Sequence, residues 1–146
     1  MRDFAQYIEC YITTVAIGSL RDRQNVTLTI VDHQGGIHDL IAESVDYFTL
    51  DAMRLRNIIE TISLYDDVNF AACTADIRKK IFYLLQGREL DDKGEGVLSE
   101  MISKLTEDIA CGRKVLLEIV SLYGADVLLL SEKVSVVKHD FPLGES

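Results

Sequence analysis

The chain has 146 residues, a hydrophobic fraction of 48% and a formal net charge of −9. That length holds one ordinary domain or two very small ones, with enough apolar residues for a packed core. The acidic balance works against nonspecific nucleic-acid binding, which depends on Lys and Arg neutralising phosphates.

Residues 3–20 carry Phe4, Ile8, Tyr11 and Val15 at helical spacing, and Gly18-Ser19 supplies a stop, so the pattern predicts an N-terminal helix. The β-branched run Ile12, Thr13, Thr14, Val15 and Ile17 makes a strand the alternative. Asp3 and Glu9 interrupt this apolar section, which does not read as a secretion signal. No run approaches the roughly 18 apolar residues of a membrane span. The three cysteines, Cys10, Cys73 and Cys111, have no CxxC or metal-like spacing and read as reduced thiols. Together these features point to the cytoplasm and to no membrane partner.

The stretch from Asn25 to Leu50 alternates like strands on either side of Gly35-Gly36 and predicts a hairpin with a two-residue turn. In that register His33 faces His38, Asp32 faces Asp39 and Val31 faces Leu40. Val26, Leu28, Ile30, Ile37, Ile41 and Val45 then share the buried face. Farther on, a short strand is expected through Met53–Leu55, a left-handed corner at Asn57, and a strand through Glu60–Leu64. Leu55, Ile58, Ile59 and Ile62 also fit a helical stripe, which keeps a helix open over residues 52–64.

A helix is expected from Thr74 to Gln86, with Thr74 as cap, Ile77, Ile81, Leu84 and Leu85 inward, and Gly87 as terminator. Residues 88–96 (RELDDKGEG) read as a linker, and a second helix follows over Val97–Ala110. Residues 113–140 read as three short strands with turns near Tyr123-Gly124 and Ser131-Glu132. Phe141–Ser146 reads as a loose tail. Val26, Leu28, Ile30, Val31, Gly35, Glu43 and Val45 recur as Val115, Leu117, Ile119, Val120, Gly124, Glu132 and Val134, all at an offset of 89 residues. A true repeat implies two helix-plus-sheet halves packed together.

The order of helix, twisted hairpin, Asp46-Tyr47-Phe48-Thr49-Leu50 and Leu55-Arg56-Asn57-Ile58-Ile59 resembles the Sm-like small-barrel family over residues 4–65. Asn57 stands where that family usually has glycine. The resemblance implies short, strongly bent strands after an N-terminal helix, ring or other homo-oligomer assembly, and RNA contacts through Asp46, Tyr47, Arg56 and Asn57. Arg54 and Arg56 flank Leu55 on one side of the expected strand and form a candidate anion site by themselves.

Facing imidazoles of His33 and His38, about 5 Å apart at Cβ, are candidate metal ligands, although Asp32 and Asp39 lie on the other face and two ligands do not complete a shell. Arg78-Lys79-Lys80 reads as a solvated helix face or as a docking patch for an acidic partner. Asp91, Asp92 and Glu95 lack the alternation of a calcium loop. No phosphate-binding loop, nucleophile elbow or HExxH is present, so no cofactor and no catalytic residue is called for.

The expected fold is α+β: a small bent Sm-like sheet or barrel over residues 1–70, then a helical pair and C-terminal strands over residues 71–146. The expected role is a non-enzymatic cytoplasmic binding or regulatory module that assembles with itself and takes a protein partner. RNA binding is the alternative, and a small-molecule pocket or active site between the halves is the third reading.

Overall fold

The computed structural model describes residues 4–139, so the tail expected over Phe141–Ser146 lies outside the described residues. Its framework is a closed antiparallel barrel of six strands: β1 (Tyr11–Leu20), β2 (Arg23–Val31), β3 (Ile37–Asp51), β4 (Asn57–Tyr65), β5 (Val115–Tyr123) and β6 (Asp126–His139). The strands run round it in the order β1-β2-β3-β6-β5-β4. Helices α1 (Phe70–Gln86) and α2 (Ser99–Ala110) fill the connection from β4 to β5.

Val26, Leu28 and Ile30 of β2 alternate into the barrel and are buried, as their spacing requires. Leu40 and Ala42 of β3, Ile59 of β4, Leu117 and Ile119 of β5, and Val127 and Leu129 of β6 join them there. A second core lies outside the barrel wall. There Ile77 and Ile81 of α1 and Ile102 and Ile109 of α2 cover Leu116, Leu128 and Leu130. Strands β5 and β6 therefore have two apolar faces, which explains their nearly continuous hydrophobic runs.

Several expectations need correction. No N-terminal helix forms over the described residues 4–20: Ala5–Tyr7 make a 3-10 turn, and Glu9 follows at φ 66°. The β-branched residues that follow enter β1, where β2 pairs with them along their whole length. The small Sm-like barrel of residues 4–65 is likewise overturned, because four strands from that half close only with β5 and β6 from the other. Among the described residues, 71–139 supply two strands rather than three, as β6 runs unbroken through Ser131 and Glu132. Between β3 and β4 the chain bends at Met53–Leu55 instead of forming a strand, and the left-handed residue is Ala52, not Asn57.

The hairpin also has a different register. Val31 pairs with Ile37 and Leu28 with Leu40, so the loop is residues 32–36 and the pairing is slipped by three residues. An odd slip exchanges the faces of β3, which is why Leu40 and Ala42 are inside and Ile37 and Ile41 are not. Asp32 sets this loop: its carboxylate accepts the N–H groups of Gln34 and Gly36 and faces Nε2 of His38 at 2.9 Å.

The 89-residue offset corresponds to matching hairpins. Val26 pairs with Ala42 as Val115 pairs with Ser131, and Ile30 with His38 as Ile119 with Val127. Strands β3 and β6 pair with each other at the centre of the arrangement. The first of these hairpins follows β1 and the second follows α2, so the offset does not mark two helix-plus-sheet halves.

Candidate binding surface at one end of the barrel

Asn57, the first residue of β4, is fully buried. Its Nδ2 donates to the carbonyls of Ile12 and Arg54, at 3.1 and 2.8 Å. Its Oδ1 accepts the N–H groups of Arg54 and Ala125, both at 2.9 Å. One carboxamide therefore ties β1, the β3–β4 loop and the β5–β6 turn together, with its donor and acceptor capacity used on the backbone. The loop that it holds displays Met53, Arg54, Leu55 and Arg56.

Leu55, at the tip, is wholly exposed, and Met53 and Tyr123 beside the arginines are about half exposed. The Arg54 guanidinium lies 5.2 Å from the centre of the Tyr123 ring, and that of Arg56 lies 6.0 Å from the Tyr11 ring. His33 packs edge-on against Tyr11 and extends the same surface. Arg23, Arg78, Arg88 and Arg113 each pair with a carboxylate. Arg54 and Arg56 have no such ion pair among the described residues, and both stay available on an otherwise acidic molecule.

The other residues singled out above fall elsewhere. Asp46 forms an ion pair with Lys114, and Tyr47 packs against the helical core, so neither joins Arg54, Arg56 and Asn57. His33 and His38 do not face each other. His38 is buried opposite Ile30, with its ring between Tyr7 and Asp32, whereas His33 stays in the loop. No group of three or more metal-ligating side chains occurs among the described residues. Of the basic run, Arg78 is bound to Glu95 and Ser103, and Lys80 to Glu118 and Asp76. These pairs anchor both the linker and the barrel wall to α1.

The Tyr7–His38–Asp32 chain has the composition of a proton relay, and sequence spacing gave no sign of it. Tyr7 Oη lies 3.3 Å from His38 Nδ1, and Cys10 is close by. Burial raises the pKa values of the Cys10 thiol and the Tyr7 phenol, which keeps both protonated. All three of Tyr7, Cys10 and His38 are buried, and neither of two surface clefts reaches them. The chain fastens the N-terminal turn to the barrel.

One of those clefts, about 280 Å³, lies between α1 and the ends of β3, β5 and β6. Its charges are largely engaged with one another: Tyr83 donates to Asp51, Lys80 to Glu118, and Asp126 accepts the Ser121 N–H. Asp51 and Asp126 stand directly opposite across the β3–β6 ladder, a like-charged pair that the fold tolerates.

The architecture is that of an α+β protein with a closed six-stranded antiparallel barrel and a helical pair in one crossover. No helix among the described residues is long and apolar enough to cross a membrane. No protein-family model, curated protein or solved structure matches the chain.

Proposed function

We propose that the chain is a non-enzymatic cytoplasmic binding module that takes an acidic, extended segment of a protein partner on the Met53–Arg56 loop. The observation that carries this reading is the wholly exposed Leu55 between two arginines that have no ion-pair partner among the described residues, on a loop stapled from beneath by Asn57. A loop held in this way loses little conformational entropy when it docks. Burying Leu55 would contribute about 1.5–3 kcal/mol, whereas an exposed ion pair contributes about 0.2–1 kcal/mol. Leu55 therefore supplies affinity, and Arg54 and Arg56 supply attraction, register and salt dependence. Three free cysteines, one of them exposed, fit a reducing compartment.

Fluorescence anisotropy with a labelled peptide of alternating glutamate and leucine tests the reading. Binding should weaken as salt rises, fall at least tenfold in Arg54→Ala/Arg56→Ala, a change of about 1.4 kcal/mol, and fall in Leu55→Ser. Oligouridine bound more tightly than the peptide would move the reading to single-stranded RNA, since arginines interleaved with tyrosines also suit stacked bases. Binding of neither probe would overturn it.

A further inference from the structure

The barrel is closed by a short seam. Only Tyr11 and Ile12 of β1 pair with β4, at Ile58 and Asn57, with Glu9 and Cys10 adding backbone bonds to Ile59. Beyond that point the two strands part. From Thr14 to Leu20 strand β1 is paired, among the described residues, with β2 on one side only. Roughly half of its backbone N–H and C=O groups therefore face outward without a ladder partner.

Folded proteins usually blunt such an edge with charge, proline or a cover. This one has no charged residue and no proline from Tyr11 to Leu20, and its single register shift lies at Thr13, before the free stretch begins. Thr14, Ala16, Ile17, Gly18 and Ser19 are exposed, and Ile17 keeps 65% of its surface in solvent. Another strand can satisfy every one of these outward groups at once, in place of water, which defines the kind of occupant.

The geometry points to a second copy of this chain, with its β1 antiparallel to the first about a two-fold axis near Ala16–Ile17. An antiparallel strand is complementary to itself, so the contact is isologous and closes at two subunits. Charge favours the same occupant. Molecules of net charge −9 repel, and the neutral β1 edge lets two of them meet without opposing carboxylates. The result is one continuous sheet, β2-β1-β1-β2, across two barrels.

A ladder of this length lies at the small end of stable interfaces, so the dimer is concentration-dependent. Sedimentation equilibrium on the full chain over a wide concentration range should show a shift from the 16.4 kDa monomer to twice that mass. Ile17→Lys should remain monomeric and melt where the dilute wild-type monomer melts, because Ile17 is not part of the core. Leu122→Lys, a control at another exposed apolar site, should still dimerise. A wild-type monomer throughout the range, a larger oligomer, or a persistent Ile17→Lys dimer would each overturn the inference.

Discussion

Gly124 lies directly over the Asn57 side chain: a β-carbon at Gly124 would sit 2.3 Å from Asn57 Oδ1 and 2.9 Å from Asn57 Cα. The backbone atom cannot move aside, and φ at Gly124 is +96°, which disfavours any L side chain. Gly124→Ala should therefore lose about 3 kcal/mol or more, through overlap and strain together. Gly35 is its counterpart in the other hairpin, with φ +80° but nothing within 4 Å of an added β-carbon. Gly35→Ala should cost only about 1–2 kcal/mol. Urea unfolding of the two variants, compared by midpoint, measures the difference.

The Asn57 carboxamide needs both its donor and its acceptor. Asn57→Asp keeps the size and the acceptors but turns a carboxylate toward the Ile12 and Arg54 carbonyls. Asn57→Ala strands the Arg54 and Ala125 N–H groups. Each change should destabilise the fold by about 3 kcal/mol. In a variant that still folds, amide hydrogen exchange should rise first over residues 53–57 and 124–125, before the α1–α2 core responds.

Acid should act through Asp32. Its carboxyl is pulled down to about 2 by its hydrogen bond with His38 and then by the N–H groups of Gly36 and Gln34. A folded-state value below the ordinary 3.8 contributes stability that is present above 3.8 and disappears as pH falls through about 2. Asp32→Asn should thus melt below the wild type near neutrality, and the gap should close between pH 4 and pH 2. Thermal melts across that range check the sign.

Relief of the Asp51–Asp126 opposition should stabilise the barrel. Asn at position 126 can still accept the Ser121 N–H while removing one of two facing charges. Asp126→Asn is expected to gain about 0.5 kcal/mol, with the gain shrinking as salt screens the pair. Thermal unfolding at low and high salt reads this directly.

Whatever depends on neighbours close in the chain could be read from the residues alone. The stripe Val26, Leu28, Ile30 faces inward as its alternation requires. Helix α1 ends at Gly87, whose left-handed conformation lets its N–H reach the Tyr83 carbonyl. The start of α1 was less legible: Thr74 does not cap it but donates to Phe70 O from within, while Asn69 is occupied in bonding Asp66 N and Leu64 O.

Of the candidate site, Arg54 and Arg56 stood out in the sequence, but Asn57 did so for the wrong reason. Its buried side chain takes partners 45 and 68 residues away, and no local pattern records them. Residues 11–20 carry both helical and β-branched signals, and only the presence of β2 alongside decided for a strand. The register of β3 turned on how Asp32 folds its loop, and a slip of three residues reversed which side chains reach the core. Side-chain periodicity is a property of a segment, whereas pairing and burial are properties of what lies next to it. The local residue pattern therefore determined the two helices α1 and α2, the Gly87 stop and the inward face of β2, and the closed barrel was decided only when distant strands met.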